Sequence, residues 1–266
     1  DEQIMFDCNE MATGFSYFNL SGISVSEDNK WASFGLDTVS RRQYVIQIKN
    51  LESGEILSTK IENTTGGATW ASDNKTLFYS RKDPITLRPD KIYKHKLGTD
   101  SANDVLVYFE KDETFDVSVF KSKSKKYIII NADSTLTSEY QTVLSATPDA
   151  DFKIFQKRKR ELEYTISHYG DSFYILTNKD DATNFKLMKT PETKTQAKNW
   201  VEVIGHREDV LLEGIDIFKD YLVVSEKNNG LNQINIIPWS GAEAYYLPFE
   251  IETYTAETTT NIDFDT

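Results

Sequence analysis

One short pattern occurs twice in this chain, and the repetition limits its fold more than any other feature. "VSEDNKWASFGLD" (25–37) is echoed by "WASDNKTLFYSRKD" (70–83), with Lys30 and Lys75 in equivalent places 45 residues apart. Each copy has an acidic-Asn-Lys turn, then an apolar strand, then a charged loop. A period of roughly 40–50 residues with several strands per unit is the mark of propeller blades, which bury their faces by stacking.

Later units diverge but keep the order. Runs of β-branched and aromatic residues bounded by Asn, Asp, Gly and Pro read as strands. They predict strands at 22–26, 30–37, 43–51 and 55–63 in unit one, and at 68–71, 76–81, 91–97 and 104–110 in unit two. Unit three follows with 116–121, 126–132, 139–145 and 152–156. Unit four has 163–168, 172–177, 184–189 and 200–204, and unit five has 214–218, 221–226, 233–238 and 244–249. The units span 21–66, 67–113, 114–160, 161–209 and 210–250, with 1–20 and 251–266 as parts of neighbouring blades. The expected fold is all-β: a β-propeller of four-stranded antiparallel blades, with about five blades present; five could close a ring, but the half-units at both ends point to an open arc cut from a longer propeller.

Within strands the period is two. Tyr44, Ile46 and Ile48 share one face, and Gln47 and Lys49 the other. "KKYIII" (125–130) has no alternation, as expected of a strand covered on both faces. "TPETKTQAKNW" (190–200) comes nearest to a helix, but it lacks an apolar stripe and reads as a loop.

Turns between first and second strands are short: "SEDN", "SDN", "YGD" and "FKD". Most loops between second and third strands read as longer: "DTVSRRQ", "KDPITLRPD", "DSTLTSE", "NKDDATN" and "EKNNG". In a propeller these sets lie at opposite ends, so one end is trimmed and the other decorated. Decorated ends usually carry the ligand or partner.

Composition removes several functions. The net charge of −12 disfavours nucleic acid, which needs a basic face to release counterions. No apolar run reaches the length of a membrane span. Cys8 is the only cysteine, which excludes an internal disulfide or a thiolate cluster, and it reads as a small buried or incidental residue. Nothing calls for a cofactor or metal. The N-terminal residues, "DEQIMFDCNEMATG", have no signal-peptide core, and the compartment stays open, cytoplasm favoured over periplasm.

Long phrases carry a resemblance: "GLDTVSRRQYVIQIKNLESGE", "WASDNKTLFYSRKDPITLRPDKIYKHKLGT", "LVYFEKDETFDVSVFKSKSKKYIII", "LEYTISHYGDSFYILTN" and "VLLEGIDIFKDYLVVSE". Across essentially all its length the chain resembles the propeller of the prolyl oligopeptidase family of serine peptidases, and within it the oligopeptidase B branch. The resemblance implies a two-domain enzyme. An α/β-hydrolase domain holds a Ser-Asp-His triad, a seven-bladed propeller caps it, and short peptides are cut after Arg or Lys. The implied partners are that C-terminal hydrolase domain and short basic peptides. The family's early helical segment, its last blades and its catalytic domain are not expected within these residues, which contain no G-x-S-x-G elbow. The fragment alone is therefore expected to be inactive, and its cut blades to self-associate through exposed edges.

Individual residues divide between site and scaffold. His95 in "KIYKHKL" reads as packed in a strand, His168 in "SHYGDS" as lying at a turn, and His206 in "GHRED" as opening a loop; none reads as catalytic. Asp112/Glu113 and Asp180/Asp181 read as solvated pairs without calcium-loop spacing. Asp116 and Glu163 open inner strands, which leaves a propeller glycosidase with axial carboxylates as an alternative. A non-enzymatic propeller scaffold for protein partners is the other. "KSKSKK" (121–126) fits a tight turn, and "QKRKRE" (156–161) a solvated connection or a docking stretch. Arg41 and Arg42 remain as the binding candidates, in a loop that the family sets near the active-site cavity. Their planar forks suit a carboxylate of the hydrolase domain or of the substrate; the plain alternative is a solvated or internal ion pair.

Overall fold

Runs of β-branched and aromatic residues build nineteen strands among the described residues, 2–261 and 263–265, of the computed structural model. In chain order they are β1 (Asn19–Val25), β2 (Trp31–Asp37), β3 (Tyr44–Asn50), β4 (Ile61–Trp70), β5 (Thr76–Lys82), β6 (Pro89–Lys96) and β7 (Val105–Phe109). Then come β8 (Asp116–Lys121), β9 (Tyr127–Ser134), β10 (Thr137–Leu144) and β11 (Lys153–Ile154). The remainder are β12 (Tyr164–Tyr169), β13 (Ser172–Thr177), β14 (Lys186–Pro191), β15 (Val201–Ile204), β16 (Val210–Ile217), β17 (Tyr221–Asn228), β18 (Leu231–Pro238) and β19 (Tyr245–Tyr246). Among the described residues helix is confined to one turn at Cys8–Met11 and two 3-10 turns, Ser101–Asn103 and Ala197–Asn199. None is long and apolar enough to cross a membrane.

The strands form four antiparallel sheets in sequence order, one of seven strands (β1 to β7) and three of four. The seven-stranded sheet departs from the expected pair of strands at 55–63 and 68–71. A single strand, β4, pairs with β3 at its start and with β5 along its length, with register shifts in both pairings. Its middle, Gly66–Gly67, explains the continuity. Gly66 has φ 99°, a conformation that side chains resist, so the strand bends there without ending. Residues 55–60 contribute only the isolated Lys49–Ile56 bridge.

Two expected long loops are two-residue turns. β9 and β10 are joined by Thr135–Leu136, and β17 and β18 by Asn229–Gly230. Asn229 at φ 49° and Gly230 at φ 80° have the positive angles of the hairpin turn whose twist matches its strands. The outer strands β11 and β19 keep two residues each, where longer runs were expected. Cys8 is exposed, not buried.

The chain divides into two compact units: 1–121 with 125–134 and 141–153, and 122–124 with 135–140 and 154–266. The first holds two apolar clusters. One joins Phe78 and Ile92 with Val117, Ile128 and Ile130; the other joins Ile46, Ile48 and Ile61 with Trp70, Leu77 and Tyr79. Ile128, Ile129 and Ile130 are all buried, as the unbroken apolar run requires. In the second unit Phe155 meets Phe173 edge-on at 4.9 Å, and Tyr164 packs on Trp200 at 5.4 Å. Tyr174, Leu187, Leu212 and Val224 form a further cluster there.

Candidate functional site

β2 ends on Asp37, whose carboxylate is buried while the next residues turn outward. Burying a carboxylate is tolerable only where hydrogen bonds replace its water. The loop supplies them: the Val39 N–H donates to Asp37 Oδ1 at 2.9 Å and the Arg42 N–H to Oδ2 at 2.7 Å. Short polar side chains that accept from amides a few residues on are the usual stitching of tight loops. Here the stitching holds Ser40 and Arg42 in the left-handed region, at φ 60° and 53°.

β5 fastens the other side of Arg42. Lys82, the last residue of that strand, donates from Nζ to the Arg42 carbonyl at 2.6 Å. Both polar groups of the Arg42 backbone are therefore tied. Burial and the neighbouring Arg42 charge hold the Lys82 amine below its usual range, with Asp37 and Asp116 opposing. Tyr44, opening β3, is raised by burial and by the charge of Asp37, and its hydroxyl donates to Asn19 at 3.1 Å.

The structure brings Arg41 and Arg42 together on this loop, both exposed. Neither guanidinium holds a carboxylate or another polar partner among the described residues. Most other basic candidates are engaged. Lys121 pairs with Glu27, and Lys123 reaches Asp216 at 2.8 Å while lying 3.3 Å from the Phe218 ring centre, so "KSKSKK" is a cross-linked turn. In "QKRKRE", Arg158 donates its N–H to Glu139 at 2.8 Å, and Arg160 is 92% exposed.

The remaining candidates are structural or solvated. His95 is fully buried in β6, with Nδ1 2.6 Å from Asp104. His206 is exposed in a loop. Asp112 accepts from Thr114 within its turn, and Asp180 meets Lys179 and Lys186. Glu163 accepts from Asn178 at 3.1 Å, whereas Asp116 stands opposite Asp133 at the start of β8.

His168 differs from expectation. It lies inside β12, paired with Phe173, and is buried where a turn position was expected. Its Nδ1 is 2.7 Å from the Ser124 hydroxyl and its Nε2 is 2.5 Å from Glu192. Phe173 closes over the ring edge-on at 5.0 Å. This serine–imidazole–carboxylate chain fastens Ser124 of the turn to β12 and to Glu192, the residue after β14, and the imidazole lies too deep to meet a substrate. Sequence spacing gave no signal for it, because its members are 44 and 24 residues apart.

Antiparallel sheets that follow one another in sequence order, each built mainly of four strands, are the architecture of a β-propeller. The chain belongs to the family described as prolyl oligopeptidase, N-terminal beta-propeller domain, whose model matches residues 1–263. It is 38% identical over 244 residues to Dipeptidyl aminopeptidase BI of Pseudoxanthomonas mexicana, covering 92% of this chain and 34% of that protein. Protease 2 of Moraxella lacunata is 28% identical over 267 residues, covering 100% and 38%. Among solved structures, oligopeptidase B from Leishmania major matches with a TM-score of 0.88 at 25% identity, over 94% of this chain and 36% of that one. Oligopeptidase B from Trypanosoma brucei with covalently bound antipain, in its closed form, shares the fold with a TM-score of 0.90 at 24% identity, over 100% and 38%. The chain thus spans just over a third of the length of these relatives, and the catalytic domain is not within it.

Proposed function

We propose that this chain is the substrate-gating propeller portion of a serine oligopeptidase that hydrolyses short peptides after Arg or Lys. The match of the family model to residues 1–263 is the observation that carries this reading. In it the chain supplies about five blades of seven, with units at 21–66, 67–113, 114–160, 161–209 and 210–250. The hydrolase domain brings nucleophile, base and oxyanion hole, and the chain alone hydrolyses nothing. The loop of Arg41 and Arg42 faces that domain, and its guanidinia pair with a carboxylate of the domain or of the peptide when the enzyme closes. A fork held in place by its backbone suits bidentate pairing, which loses less entropy than a freely moving side chain.

The test compares the full-length enzyme with its Arg41→Ala/Arg42→Ala variant on short peptides ending the cleaved segment in Arg. A fall of about tenfold in kcat/KM is expected for loss of a charged hydrogen-bonded pair. An unchanged kcat/KM overturns the role of the loop. The 38% identity to a dipeptidyl aminopeptidase favours a second reading, release of dipeptides from free amino ends. Acylating the substrate's amino terminus separates them: the oligopeptidase still cuts, the dipeptidyl aminopeptidase does not.

A further inference from the structure

We propose that the Arg41–Arg42 loop reads the C-terminal carboxylate of the peptide, and that it thereby helps to set the length of peptide the enzyme accepts. This deepens the proposed function and rests on it. The argument begins with how the local charges are used. In a chain with 42 acidic and 30 basic residues, a basic side chain can readily find an internal carboxylate. Lys94, Arg158 and Arg207 each do so, at 2.5, 3.5 and 2.7 Å. Arg41 and Arg42 do not, although the Asp37 carboxylate lies at the base of their own loop. Both oxygens of that carboxylate accept from backbone amides instead. Asp37 therefore shapes the loop without drawing either guanidinium into a side-chain pair.

Lys82 works in the same direction. Its ammonium donates to the Arg42 carbonyl, so Arg42 is fixed at its N–H by Asp37 and at its C=O by Lys82. A third positive charge thus stands beside the two guanidinia. Three cations around one fixed backbone form a positive locus, and an anion that comes from outside the chain meets no local carboxylate competing for the forks. Planar donor forks select carboxylate or phosphate geometry over a point charge. Short peptides differ in every side chain, but each unmodified one carries one carboxylate at its C-terminus. A carboxylate reader at a set distance from the cleaved bond measures the residues between them. Each residue of an extended peptide adds about 3.3 Å, so peptides too short or too long miss the forks.

The experiment uses the full-length enzyme and pairs of peptides identical except at the C-terminus, one a free acid and the other a carboxamide. The readout is the ratio of their kcat/KM values, which is insensitive to a uniform loss of active enzyme. The expected ratio for the unaltered enzyme is about ten in favour of the acid. Arg41→Ala/Arg42→Ala brings it to about one. Arg42→Lys keeps less than half of it, because the charge stays and the fork is lost. Lys82→Met lowers the ratio as well, through the loop it positions.

A ratio of about one in the unaltered enzyme overturns the inference. So does a double variant that slows both peptides alike and keeps the ratio. In either case, a slower double variant leaves the broader reading standing, with a hydrolase-domain carboxylate as the partner of the arginines. If the double variant changes neither peptide, both readings fall.

Discussion

Asp133 faces Asp116 directly across the β8–β9 pair, and like charges in that relation repel. Burial and then the Asp116 charge raise the Asp133 carboxyl above its usual range, while a hydrogen bond from Asn131 at 2.7 Å works the other way. The sign follows from proton linkage. A raised native value means that the folded chain binds this proton more tightly than the unfolded chain does. The resulting stabilisation is complete below the unfolded value and is lost as pH rises through the native one. At neutral pH the ionised Asp133 therefore weakens the fold. Asp133→Asn keeps the bond from Asn131 and removes the repulsion. We expect it to raise Tm at pH 7 and to bring no gain near pH 3, in paired thermal melts. The gain is modest, because the carboxyl is only partly withdrawn from water, which screens it. An equal shift at both pH values would refute the electrostatic account. At this scale the sequence was only partly legible. Asp116 could be singled out as opening a strand, but its partner depends on register. The SRR pair could likewise be seen, while Asp37 and Lys82, which hold it, come from the ends of β2 and β5 and meet only after folding.

Strands were legible wherever side chains alternate, and least so where glycine makes the structure. "TTGGAT" reads as a breaker between two strands. It is the bend of one strand because β4 passes against β1 and β2 with no side chain between them. A Cβ added to Gly35 would lie 2.5 Å from the Gly66 Cα, against backbone that cannot move aside. Gly35 does not have a positive φ, so the cost of an added methyl there is steric alone. We expect Gly35→Ala to lose about 2–4 kcal/mol of stability in urea unfolding, as overpacked positions do. Gly54→Ala is the control. It has φ 78° and open space around it, so only backbone strain of about 1 kcal/mol is expected. Equal losses at the two sites would show that the close approach of the strands carries no stability. The hairpin at Asn229–Gly230 teaches the converse. Its turn chemistry was present in "EKNNG", but polar residues on either side of the turn continue the strands and so resemble a longer loop.

For the whole molecule, long phrases made the family legible, whereas the chain covers only the propeller and just over a third of its relatives' length. The partial-propeller reading has a physical consequence at the first sheet. Ile23 and Val25 on β1 are 49% and 37% exposed, and Ile4 beside them is 78% exposed. Leu20 and Ile23 line an apolar groove of about 520 Å³ together with Ile4 and Met5. In a longer propeller the next blade would cover this face and gain the burial energy, about 25 cal/mol per Å² of apolar area. The same substitution should then act oppositely in the two contexts. In the isolated chain Ile23→Lys places a charge on an open surface, so stability should stay within about 0.5 kcal/mol and self-association should weaken. In the full-length protein it buries that charge between blades, and a loss of about 3 kcal/mol or more is expected. Light scattering against concentration reads the first effect, and thermal melts of both proteins read the second. A monomeric isolated chain at all concentrations, or the same loss of stability in both proteins, would mean that no blade packs against β1.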